Sequence, residues 1–236
     1  MRLQLFFRKK PCYNIAVMKR ATQISESIEL ATFLAMSGGL MDAYSYLYRG
    51  QVFANAQTGN ILLLGVNASQ GQWATCLHYL FPVLSFALGI AICETIRLRK
   101  VQFIHWRQFT VLLEIILLCF VAFIPTDYNL VANSLTSFAC GIQVQAFRKL
   151  HGNSFATTMC IGNLRSGTDH FIHFLHTKDR NFLEKSMLYY FVIFCFILGA
   201  ILGNLCLSFL GIHTVLVSVV LLIIALLIMF IDREGE

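Results

Sequence analysis

The chain alternates long apolar runs with short polar breaks, and the spacing of those breaks predicts helices. A helix that crosses a bilayer needs about 20 mostly apolar residues. Six runs meet or approach that length: Ile28–Tyr48, Leu77–Ile96, Trp106–Ile124, Leu130–Phe147, Met187–Leu210 and Ile212–Ile231. Two further stretches are apolar but interrupted. Val52–Asn67 is short and carries Gln57-Thr58-Gly59-Asn60, while Phe155–His176 holds Arg165, Asp169, His170 and His173. Backbone at membrane depth that does not cross is tolerated only where protein or a watery cavity surrounds it. The expected fold is all-α: a polytopic transmembrane helical bundle of about six full spans plus two short or re-entrant segments.

Composition excludes the soluble alternative. Hydrophobic residues make up 57% of the 236 positions and charged residues 13%, against about 25% charged in a soluble domain. The length suits one integral membrane domain. The eight cysteines form no C-x-x-C pair, and most lie in apolar runs, where cysteine behaves as a small hydrophobe. No disulfide framework, metal site or cofactor is expected. The net charge of +6 could suggest nucleic acid, but a basic surplus in a membrane protein marks its cytoplasmic loops. The expected partner is the lipid bilayer and not nucleic acid.

Charge also selects a topology. Residues 1–27 read as a basic cytoplasmic tail with Arg2, Arg8, Lys9, Lys10, Lys19 and Arg20, in which Met18 offers a second start position. With that tail inside and six crossings, every lysine and arginine except Arg49 falls on the cytoplasmic side. With eight crossings the clusters at 97–107 and 148–149 move outside. The positive-inside rule therefore predicts six crossings, both termini in the cytoplasm and a bacterial cytoplasmic (inner) membrane location.

The two interrupted stretches resemble one another. Gly38 to Ile61 reads GGLMDAYSYLYRGQVFANAQTGNI, and residues 141–164 read GIQVQAFRKLHGNSFATTMCIGNL. Gly38 falls on Gly141, Gly59 on Gly162 and Asn60 on Asn163, with Leu88-Gly89 matching Leu198-Gly199 further on. This predicts two membrane repeats, residues 28–124 and 129–231. Three crossings per repeat place the second upside down relative to the first, a build common among secondary transporters.

Asp42 is the sharpest chemical candidate, because a carboxylate inside a span costs about 2.5–3.5 kcal/mol on insertion scales. Its readings are a substrate or proton site, an acceptor that fixes the Thr58-Gly59-Asn60 turn, or a partner for Arg49. Thr58 and Asn60 read first as a buried helix cap and second as an anion site at a helix start. Gln143 and Gln145 cannot share a helix face, so one is expected to point inward. Arg165 and Asp169 are spaced to pair near the cytoplasmic surface, and His170, His173 and His176 read as an interfacial polar face. Glu94 and Glu114 read as interface or packing residues towards the cytoplasmic ends of their spans. Gly199 and Gly203 form G-x-x-x-G, a close-packing signal.

The string SGGLMDAYSYLYRGQVFANAQTGNILLLG, with Gly38, Gly39, Asp42, Ala43, Phe53, Thr58, Gly59 and Asn60, resembles the start of the YoaK-type family of bacterial membrane proteins. Gly141-Ile142-Gln143 and Thr157-Thr158 with Gly162-Asn163 match its second signature, although Ile161 stands where that family has threonine. The resemblance implies a six-span membrane protein of unknown activity. Two functions remain open. One is a small-solute transporter or channel using Asp42, Thr58, Asn60, Gln143 and Asn163, with a small polar solute or proton as partner. The other is a non-transporting sensor, scaffold or lipid-binding protein. No Ser/His, H-E-x-x-H or paired-carboxylate arrangement is present, so an enzyme is not expected.

Overall fold

A computed structural model describes residues 28–99, 106–150, 153–154 and 157–230. The basic tail with Met18, Lys100 and the C-terminal Arg233 lie outside the described residues. Eight helices occur among the described residues: α1 (Ile28–Tyr48), α2 (Gln57–Ser69), α3 (Trp73–Leu98), α4 (Trp106–Val121), α5 (Asn129–Ala146), α6 (Cys160–Thr177), α7 (Arg180–Leu210) and α8 (Val215–Ile228). A two-residue antiparallel ladder, Lys149–Leu150 with Asn153–Ser154, lies between α5 and α6.

The eight apolar stretches become the eight helices, with shifted ends. α1 has the boundaries read from sequence. α7 starts seven residues before Met187 because Asp179 caps it, accepting from the Asn181 amide at 3.0 Å. The last run opens as a 3-10 turn, Gly211–Thr214, which gives way to α8. Gly71 (φ 70°) makes the tight turn between α2 and α3.

Contacts between helices give their directions. α1 and α5 are antiparallel: Gln143 donates to the Leu34 carbonyl, Cys140 Sγ lies 3.7 Å from Met41 Sδ, and Asn133 donates to the Arg49 carbonyl. α7 runs parallel to α1, since Gly199 packs on Met36 and Gly203 on Leu40 and Ala43. α3 runs parallel to α5, with Gly89 against Phe138 and Gln145 reaching Glu94. The end of α4 meets Arg49, and its start meets the end of α8, where Gln108 donates to the Met229 carbonyl. Thus α1, α4 and α7 point one way and α3, α5 and α8 the other.

This alternation leaves α2 and α6 as excursions that return to the end they came from. After α1 the chain turns back inward: Asn55 Nδ2 donates to the Gly38 carbonyl at 3.1 Å, and Gln57 Nε2 donates to Ser137 Oγ at 3.3 Å, both at mid-helix positions. From there α2 runs outward for 13 residues, about 20 Å. It leads to the start of α3, where His78 Nε2 lies 3.0 Å from the Gly50 carbonyl. α6 mirrors this from the other end. Thr158, just before it, sits against Gly38, and its middle is tied to the first part of α7 by Ser186 Oγ donating to the Gly167 carbonyl at 2.8 Å.

Glycine makes the close crossings work. A methyl group on Gly39 would overlap the Phe196 carbonyl, and one on Gly199 the Met36 carbonyl; Gly89 and Gly141 stand in the same relation to Phe138 and Phe86. In this packing Gly39, not Gly38, plays the part of Gly141. The sequence match is therefore one residue out in α1 and α5, where the two adjacent glycines made the register ambiguous.

The apolar surface is turned outward, with Leu62, Phe209 and Ile223 among many exposed large side chains, while buried positions hold both apolar and polar groups. Only Trp73–Leu98 and the stretch Arg180–Ile228 are, among the described residues, long and apolar enough by composition alone to cross a membrane. α1 and α5 fall short because their polar residues, such as Ser37, Asp42, Asn133 and Gln143, are buried within the bundle.

Candidate functional site

The starts of α2 and α6 converge on the middle of α1, and polar side chains collect there. Asp42, one turn beyond Gly38, is 9% exposed. Its Oδ1 accepts from the Asn55 amide at 2.7 Å. A carboxylate that accepts a backbone N–H there fixes the chain entering a helix. Asp42 thus holds the entry to α2 and does not pair with Arg49.

Arg49 has other partners. Its side chain is fully buried and donates to the Tyr44 hydroxyl, to the Val121 and Pro125 carbonyls and to Asn129 Oδ1. Arginine suits such a place because its fork offers five donors in fixed directions. It closes one end of the bundle by joining α1, α4 and the start of α5.

The helix-cap reading of Thr58 and Asn60 does not hold. α2 begins at Gln57 with Ala56 in the cap position and no side-chain cap. Asn60 instead reaches back to the incoming strand of chain: its Oδ1 accepts from the Phe53 amide at 3.0 Å, and its Nδ2 donates to the Phe53 carbonyl and to Gln57 Oε1, both at 2.8 Å. The Phe53 ring lies on Gly59, where a Cβ would come within 2.7 Å of it. Thr58 is exposed and stands apart from the cluster.

The start of the second excursion also gathers buried polar side chains. Gln143 is buried, donates to the Leu34 carbonyl at 2.9 Å and reaches Thr157 Oγ1 only at 3.5 Å. Its Oε1 and the hydroxyl of buried Thr158 have no hydrogen-bond partner. Asn163 is buried at the fourth position of α6, as Asn60 is in α2, while Gly162 has open space around it. Cys160, the first residue of α6, lies within electrostatic range of Asp42. Gln145 points elsewhere and donates to Glu94 Oε2 at 2.6 Å, and Glu94 also pairs with Arg97.

Arg165 and Asp169 are exposed on α6 and do not form the expected pair. Asp169 lies instead 3.8 Å from His173 Nε2 and 3.9 Å from His170 Nδ1. The His173 ring stacks on Phe182 at 5.3 Å, so these histidines join α6 to α7. No group of three or more His, Cys, Asp or Glu side chains among the described residues is placed to hold a metal.

Glu114 corrects the sequence reading most sharply. It lies midway along α4, its exposure is 0%, and neither carboxyl oxygen has a hydrogen-bond partner. Cys140 on α5 is within electrostatic range of both Glu114 and Asp42. A lone acid inside an apolar run was the available signal; its depth and burial required knowing that α5 and α8 cover that face. Asn55, Gln57 and Ser137 complete the polar layer; Gln57 belongs to the polar break already visible in the sequence, while Asn55 and Ser137 carried no signal of their own.

A helical bundle with an apolar exterior and a polar layer at its centre is the architecture of an integral membrane protein. Residues 30–228 match the model of a family described as "Protein of unknown function (DUF1275)", and the chain belongs to that family. It is 26% identical over 185 residues to UPF0700 transmembrane protein YoaK of Bacillus subtilis (strain 168), covering 73% of this chain and 80% of that protein. No solved structure matches. The family is one of transmembrane proteins whose function is unknown.

Proposed function

We propose that the protein is a transporter or channel for a small polar solute in the bacterial cytoplasmic membrane, built from two inverted repeats, residues 28–124 and 129–231. The single observation that carries this reading is the meeting of the starts of α2 and α6, which enter from opposite ends, beside Gly38 at mid-bundle. Such half-helices are how inverted-repeat carriers bring helix starts and freed backbone to a midplane site. The opposed directions of α1, α3, α4 and of α5, α7, α8 support the inversion. Six helices then cross, and both termini face the cytoplasm. The solute contacts fall to Gln143 Oε1 and the Thr158 hydroxyl, which have no hydrogen-bond partner, and to Asn163 near the start of α6, while Asp42 and Asn60 hold the frame. The protein moves its solute without converting it.

A second reading, a non-transporting membrane protein, is favoured by the tight bonding of Asp42 and Asn60. Purified protein in liposomes, tested for osmotic swelling and counterflow over a panel of sugars, amino acids, polyols and small anions, separates the two. The transporter reading expects at least one solute to pass faster than through protein-free vesicles, and Thr158→Phe, placed beside Gly38, to block it. No solute above the protein-free rate across the panel would favour the second reading.

A further inference from the structure

The structure holds one buried acid that the framework does not use. We infer that Glu114 takes up and gives up a proton during the working cycle, so that solute movement through the central layer is proton-coupled. This deepens the transporter reading and rests on it.

The geometry argues against a purely structural acid. Structural acids in this bundle are bonded: Asp42 to the Asn55 backbone amide, Glu94 to Arg97 and Gln145. Glu114 has neither a donor for its carboxylate nor an acceptor for its acid form, and it is fully covered. An unpaired carboxylate out of water is too costly to persist. In the enclosed arrangement Glu114 therefore holds its proton, and only an arrangement that admits water or solute to the layer lets that proton leave as hydronium and return. A glutamine or leucine would serve packing at lower cost.

The charged and titratable groups around it leave that role open. On α5 the facing group is Cys140, which also senses Asp42 on α1. α8 contributes no titratable side chain, only the Ser218 hydroxyl, which bonds Ser37. α3 offers the buried Cys93 and, at its end, Glu94 with Arg97. On α4 itself Arg107 and Cys119 lie at least a turn away, and Arg49, at the Val121 carbonyl, is engaged with its four acceptors. Among the described residues, no cation bonds the Glu114 carboxyl group.

Infrared spectroscopy of the intact protein in lipid tests this, with protons and heavy water as the only probes. Labelling glutamate with carbon-13 distinguishes glutamic from aspartic acid bands without any mutation, and Glu114→Gln and Glu114→Asp assign the band. The expected result is a protonated carboxyl band, missing in Glu114→Gln and moved in Glu114→Asp, that shifts in heavy water and fades as the buffer is made more alkaline. A band that neither exchanges nor titrates means a permanently held proton and overturns the inference. So does the absence of any glutamic acid band that Glu114→Gln removes. The readout involves no solute, so its failure is distinct from a failure to find transport.

Discussion

The turn that starts α2 and the turn that starts α6 approach the same glycine from opposite ends, but they are held differently. In the first, Asp42 takes the Asn55 amide, Asn60 clasps Phe53 on both sides, and the Phe53 ring fills the space over Gly59, while Asn55 Oδ1 is left without a partner. The second has an unpartnered Thr158 hydroxyl, a long Gln143–Thr157 contact and open space at Gly162. Matching sequence positions therefore carry different physical roles. One entry is tied through Asp42 and Asn60, and the other keeps an unbonded Thr158 hydroxyl and Gln143 oxygen beside it.

The comparison predicts unequal responses to similar substitutions, all read as thermal or denaturant unfolding of purified protein in one detergent. Arg49→Met, which removes four donated bonds at the end of the rigid half, is expected to cost about 3–5 kcal/mol. A cost below about 1 kcal/mol would mean that this end is not a closure. Asp42→Asn is expected to cost about 1.5–3 kcal/mol, because a neutral amide accepts the Asn55 amide less strongly than a carboxylate does. Thr158→Val should stay within about 0.5 kcal/mol of wild type, since a methyl replaces a hydroxyl that bonds nothing. Equal losses at the two sites would erase the distinction between the halves.

The sequence-matched glycines sharpen it further. Gly59→Ala must displace the Phe53 ring and is expected to cost about 1–2 kcal/mol. Gly162→Ala meets no neighbour and is expected to stabilise by about 0.5 kcal/mol through helix propensity. The two effects have opposite signs, so the sign alone is diagnostic in a side-by-side melt.

Much of the bundle was legible because apolar length and polar breaks report helix number directly. α1 has the predicted ends, and Asn60 and Asn163 do occupy the same position in their helices. The site was less legible, for reasons that lie in tertiary contact. Asn60 looked like a cap because caps are a local pattern, yet its amide bonds a residue seven positions back. The sequence suggested Asp42 as a partner for Arg49, whereas its four acceptors come from distant segments and from the Tyr44 hydroxyl of α1. Glu114 looked peripheral because distance along a run does not reveal which neighbours cover it.

The account depends on α2 and α6 each returning to the membrane face from which it entered. Single cysteines at Ser69 and at Leu150, in a background cleared of native cysteines, can be labelled from either side of sealed membrane vesicles with an impermeant maleimide. The account predicts that Ser69→Cys reacts only from the external face and Leu150→Cys only from the cytoplasmic face; the reverse pattern would contradict it.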